Sequence, residues 1–116
     1  NTDALSLSSH PHGMDIEKWN SGPRALKIAN KFLSAEEIQL LDAFGYLHSS
    51  EKVATLLWSA KEAVYKRFNH SKLQSLNDIR LTLLTNRQLQ ANVPQIQQSS
   101  VVNISLYPHC VCTCCE

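Results

Sequence analysis

A chain of 116 residues, 43% hydrophobic and 18% charged, has the composition of one soluble globular domain or of part of one. Its formal net charge of +1 supplies no basic excess to drive counterion release, so no nucleic-acid partner is expected. No apolar run is long enough to cross a bilayer and no signal-peptide pattern opens the sequence, so the expectation is no membrane partner and a cytoplasmic setting. The sequence opens on Asn1 and its only methionine is Met14, which reads as a fragment or a processed product.

Ala4–Ser8 alternates apolar and small polar residues, a weak strand signal, and Ser8-Ser9-His10-Pro11-His12-Gly13 follows as a turn. Met14 to Trp19 alternates again, with Met14 and Ile16 on one side of a strand and Asp15 and Glu17 on the other. Ser21-Gly22-Pro23 starts a helix carrying Leu26, Ala29, Phe32 and Leu33. Ser34-Ala35-Glu36-Glu37 is a capping box, which predicts a second helix through Ile38, Leu41 and Phe44, closed by Gly45.

The longest helix is expected from Ser49 or Ser50 to about Asn69. Val53, Leu56, Leu57, Ala60, Val64 and Phe68 gather on one side, while Trp58, Glu62 and Lys66 recur every four residues on the other. Asp78–Leu84 alternates as a strand, whereas the Gln- and Asn-rich stretch from Thr85 to Ser100 reads as loop or weak edge strand. Val102–Leu106 alternates as well, and Pro108 separates it from a last strand containing Cys110, Cys112, Cys114 and Cys115. Strands at both ends with two or three helices between them indicate an α+β fold, an antiparallel sheet packed against helices, over a single domain spanning residues 1–116.

Each chemistry-bearing residue has a plain structural reading. Asp15 and Glu17 can form an exposed strand face, and Glu62 and Lys66 an ordinary helical pair separated by four residues, a contribution of roughly 0.2–0.5 kcal/mol. Trp58 packs and Tyr65 is structural. The cysteine spacing places Cys110, Cys112 and Cys114 on one face of a strand; with His109 nearby, a soft-metal site competes with a reading of small buried hydrophobes.

Taken together, Gly13, Asp15 and Glu17, followed by Trp58, Lys61, Glu62 and Lys66, resemble the Gly-x-Asp-x-Glu and Trp-x-x-Lys-Glu-x-x-x-Lys elements of the 4′-phosphopantetheinyl transferase superfamily. Lys31-Phe32-Leu33-Ser34-Ala35-Glu36-Glu37 is similar to the basic-Phe-x-x-x-Glu stretch between them. Trp58 favours the subgroup that serves peptide, polyketide and lysine-forming synthetases, of which this chain resembles the C-terminal half. Ser9-His10 stands too close to Asp15 for the strand that intervenes in the family, so the family's coenzyme A role is not carried onto His10.

The resemblance implies transfer of 4′-phosphopantetheine from coenzyme A to a serine hydroxyl of an apo acyl or peptidyl carrier protein, with release of 3′,5′-ADP. It implies magnesium on Asp15, Glu17 and Glu62, catalysis by Glu62 and Lys66, and coenzyme A phosphate contacts from Lys61 and Lys66. A missing N-terminal half or self-association would complete the coenzyme A cradle. Two other readings stand beside it: a non-catalytic fragment that binds coenzyme A or a carrier, and a cysteine-rich metal-binding or interaction domain.

Overall fold

A computed structural model describes residues 13–68 and 75–116. The expected strand at Ala4–Ser8 and the turn histidines His10 and His12 lie outside the described residues.

The first described strand, β1, is Gly13–Lys18, and three short helices follow: α1 (Gly22–Lys27), α2 (Ala29–Phe32) and α3 (Ala35–Ile38). The long helix α4 spans Ser50–Arg67. Four more strands complete the chain: β2 (Arg80–Thr85), β3 (Gln88–Val93), β4 (Gln98–Leu106) and β5 (Cys110–Cys115). They form one five-stranded sheet in the order β1-β5-β4-β3-β2, antiparallel at every pairing. This is the expected α+β fold, with the last strand inserted beside the first.

Helix α4 lies across one face of the sheet. Leu56, Leu57, Ala60 and Val64 pack in one core with Leu89, Ala91 and Val93 of β3, Val102 and Ile104 of β4, and Val111 of β5. Its start is capped by the Ser49 hydroxyl, which accepts from the Lys52 amide at 3.3 Å. Glu51 in the first turn and Lys66 and Arg67 in the last complement the helix dipole.

The capping box at Ser34 forms as expected: its hydroxyl accepts from the Glu37 amide, and Glu37 Oε1 accepts from the Ser34 amide at 2.8 Å. The helix it starts is shorter than expected. It tightens into a 3-10 turn over Gln39–Asp42, and Gly45 opens a further 3-10 turn, Gly45–Leu47, rather than closing a helix. The preceding helix also divides at Ile28, whose backbone (φ −103°, ψ 12°) separates α1 from α2.

Two strands depart further from the sequence reading. The Gln-rich segment contains β3, an interior strand whose Leu89, Ala91 and Val93 are fully buried, alternating with Gln88, Gln90 and Asn92. In β5, Cys115 is buried with Val111 and Thr113, but Cys110, Cys112 and Cys114 sit half-exposed on the opposite face of the sheet. Three of the four thiols are therefore not core residues. Among the described residues, no helix is long and apolar enough to cross a membrane.

Candidate active site

Strand β1 presents its acids to the helix and its apolar residues to the outside. Asp15 is 6% exposed, whereas Met14 and Ile16 are 50% and 61% exposed. Gly13 makes this orientation possible. A Cβ at that position would stand 2.7 Å from the Arg67 amide nitrogen and closer still to the Ala63 carbonyl oxygen. Only a residue without a side chain lets β1 lie directly on the last turns of α4. That approach carries Asp15 and Glu17 to the side of α4 that bears Glu62 and Lys66. A buried hydroxyl pair supports it: Ser59 Oγ lies 2.8 Å from Thr113 Oγ1, which donates to the Ser59 carbonyl at 2.9 Å.

Lys66 Nζ donates to Asp15 Oδ1 at 2.9 Å and to the Met14 carbonyl at 3.2 Å. Asp15 Oδ2 is buried and has no hydrogen-bond partner among the described residues. Burial raises Glu17 from the usual carboxylate range to about 7, reinforced by its close approach to the Asp15 carboxylate and by the charges of Asp15 and Glu62; Lys66 opposes the shift. Glu62 is also raised, first by burial and then by Asp15, again against Lys66. Lys66 is raised in turn, chiefly by its hydrogen bond to Asp15. Three carboxyl groups and one ammonium thus share a single electrostatic neighbourhood.

Three acids with one counter-charge repel one another, and a second cation would relieve that repulsion. The donors are hard oxygens, the chemistry that magnesium favours, and Asp15 Oδ2 has a lone pair that no hydrogen bond among the described residues uses. In this arrangement, among the described residues, no three acid, histidine or cysteine side chains converge as a finished coordination cage, and Lys66 holds Asp15 Oδ1. In kind, the carboxylate oxygens of Asp15, Glu17 and Glu62 match what a hard divalent ion accepts.

Lys61 has another post. Its side chain is fully buried, and Nζ donates to the Phe32 carbonyl at 2.6 Å and to Glu37 Oε1 at 2.7 Å. Glu37 Oε2 accepts from the Leu81 amide at 2.7 Å. Burial pushes the Lys61 pKa down and Glu37 pushes it back up. The phosphate contact expected of Lys61 is therefore corrected: an enclosed ammonium tying α2, α3 and β2 to α4 cannot reach a coenzyme A phosphate. The sequence held the signal, since Lys61 lies four residues after Leu57 and three before Val64, on the apolar face of its helix.

The sequence reading also missed a cleft of about 260 Å³ beside the acids, lined by Glu17, Ser21, Arg24, Ala25, Ile28, Thr55 and Trp58. Trp58 forms one wall, held edge-on to Phe32 with ring centroids 5.1 Å apart. Gly22 lets α1 approach α4 closely, because a Cβ there would meet the Glu51 Cβ at 2.8 Å. No single spacing in the sequence encodes this cleft, which arises where α1 crosses α4.

A family model for the 4′-phosphopantetheinyl transferase superfamily matches residues 11–115, nearly the whole chain. The chain belongs to that superfamily. It is also 37% identical over 86 residues to enterobactin synthase component D of Salmonella typhimurium, a match covering 72% of this chain and 36% of the relative. The chain thus spans little more than a third of that curated relative. Both the sheet and the acid-lysine cluster lie within the residues the family model matches.

Proposed function

We propose that this chain carries the metal and catalytic half of a 4′-phosphopantetheinyl transferase, acting on coenzyme A and the serine hydroxyl of an apo acyl or peptidyl carrier protein. One observation supports this above the rest: Gly13 seats β1 on α4 so that Asp15, Glu17, Glu62 and Lys66 meet beside an open cleft. The shared membership of the superfamily supports the same reaction class.

A bound magnesium ion, held by Asp15, Glu17 and Glu62, would neutralise the pyrophosphate and the charge that develops on it. The chain's own residues supply the rest. Glu62, raised above the usual carboxylate range, is the base that takes the serine proton. The serine oxygen then bonds to the phosphorus bearing pantetheine as that phosphorus loses its bond to 3′,5′-ADP. Lys66 is protonated and half-exposed, and its ammonium stabilises the charge gathering on the departing phosphate. Trp58 and Ile28 give the neighbouring cleft an apolar wall. Arg24, Lys27 and Lys31, all exposed, form a basic border on α1 and α2 suited to an acidic carrier.

The proposed chain is one domain over residues 1–116, the second half of a longer two-half enzyme working in the cytoplasm. The match to about a third of a longer relative accords with that reading. The deciding experiment is mass spectrometry of an apo carrier incubated with this chain, coenzyme A and magnesium. A gain of one phosphopantetheine is the expected result. Glu62→Gln should fold normally and lose roughly 10²–10⁴-fold in rate. A carrier that gains no mass, while coenzyme A or carrier binding is retained, would replace this reading with the non-catalytic one.

A further inference from the structure

Two hydroxyls lie at the bottom of the contact between α4 and the sheet, where the core is otherwise apolar. Ser59 and Thr113 are fully buried, and their neighbours Ala60, Val111 and Cys115 are core residues. An alanine and a valine would fill the same space without any buried polar group to satisfy. Each hydroxyl has a single proton to donate. Thr113 donates its own to the Ser59 carbonyl at 2.9 Å, so Ser59 is the donor in the 2.8 Å contact between the two hydroxyl oxygens. The same Ser59 hydroxyl also faces the Asp15 carbonyl, at 3.4 Å.

The position of this pair is what gives it a use. Asp15 stands directly opposite Thr113 in the β1–β5 register, and residues so paired share a face of the sheet. On the helix, Ser59, Glu62 and Lys66 stand at i, i+3 and i+7, along one stripe. The hydroxyl pair therefore joins the strand position of one acid to the helix stripe that carries another acid and the ammonium. We propose that Ser59 and Thr113 are positioning residues, whose hydrogen bonds fix the register of α4 on β1 and with it the spacing of Asp15 from Glu62 and Lys66.

Gly13 cannot do this alone. Its contact with Ala63 and Arg67 determines how near β1 comes to α4, but apolar contact is non-directional and leaves the helix free to slide or turn. A hydrogen bond has a defined length and direction. The two contacts also match in spacing. From Gly13 to Asp15 the strand advances about 7 Å, and from Ala63 back to Ser59 the helix covers about 6 Å. Two points so placed settle both distance and register. The consequence for magnesium rests on the ion reading proposed above, whereas the consequence for spacing does not.

Three variants separate positioning from packing. Thr113→Val keeps the shape and removes the hydroxyl, while Thr113→Ser keeps the hydroxyl and removes a methyl group. Ser59→Ala combined with Thr113→Val removes both hydroxyls together, so neither strands the other. Each is read by thermal melting, by the nuclear Overhauser contact between the Lys66 ε- and Asp15 β-protons, and by calorimetric titration with magnesium alone. The double variant should melt close to the wild type, lose most of the Lys66–Asp15 contact and bind magnesium about tenfold more weakly. Thr113→Ser should melt lower yet keep both the contact and the affinity. An unchanged contact in the double variant would overturn the proposal, as would a Thr113→Ser protein that loses the contact as fully as Thr113→Val. Should the double variant fail to fold, the two single variants at Thr113 give the same contrast. A wild type that binds no magnesium would sink the ion reading alone, and the proton contact would still decide the positioning.

Discussion

Helix α4 carries two lysines five residues apart whose surroundings are opposites. At Lys61 every partner is in place: the ammonium meets the Phe32 carbonyl and Glu37, and Glu37 also binds the Ser34 and Leu81 amides. At Lys66 the partnership is incomplete: one Asp15 oxygen is held, the other has no hydrogen-bond partner among the described residues, and Glu17 and Glu62 are raised first by burial and then by the neighbouring acids. A closed set of hydrogen bonds joins elements together, whereas an open set of like charges keeps a repulsion that a further cation would relieve. Charge alone does not mark function; unsatisfied charge does.

The comparison breaks most visibly under matched truncations. Lys61→Ala leaves Glu37 buried without its counter-charge and should cost about 3–5 kcal/mol, read as a shift in the urea midpoint. Lys66→Ala removes an ammonium that is 49% exposed. After solvent screening its effect on stability should be under about 1 kcal/mol, while transfer activity falls roughly 10²-fold or more. Equal stability losses at the two sites would mean that the enclosed and the open pair do not differ in the way their hydrogen bonding indicates.

Gly13→Ala tests how the open site is assembled. Its Cβ would collide with backbone atoms of Ala63 and Arg67, which cannot swing aside as a side-chain tip can, so β1 or α4 must shift. A loss of about 1–3 kcal/mol is expected. Activity should fall further than stability, because the same movement separates Asp15 and Glu17 from Glu62. Chemical shifts of the Ala63 and Arg67 amides would report the displacement directly.

The α+β class was legible in the sequence, and so were the faces on which single side chains stand, but parts of the scaffold were not, and the reason is physical. Alternation along β1 and the four-residue spacing of Trp58, Glu62 and Lys66 are local, so their faces follow from backbone geometry. Strand β3 was hidden by composition: glutamine and asparagine mask the alternation of Leu89, Ala91 and Val93, and only neighbouring strands on both sides make it an interior strand. Lys61 was misread for the converse reason. Its place on the apolar face was legible, but the fully satisfied acid receiving it lies 24 residues away and has no local signature. The cleft at Trp58 and Arg24 belongs to no element, since it exists only where two helices cross.

The smallest expected effect gives the comparison a sign. Glu17 titrates at about 7 in the folded chain against 4.5 for an unperturbed glutamate. Between those values the folded state keeps a proton that the unfolded chain has lost. Stability contributed by the neutral acid is therefore complete below about pH 4.5 and declines as pH rises towards 7. Solvent screening of a partly exposed carboxyl should hold the decline to about 1 kcal/mol or less. Thermal melts of the wild type and Glu17→Gln across this window should converge at low pH and separate at neutral pH, with the glutamine form the more stable. Added magnesium should narrow the difference at pH 8 in favour of the wild type, since a cation beside three carboxylates converts their repulsion into attraction. If Glu17→Gln proves the less stable at neutral pH without metal, the carboxylates are not in conflict and the open character of the Lys66 site is lost.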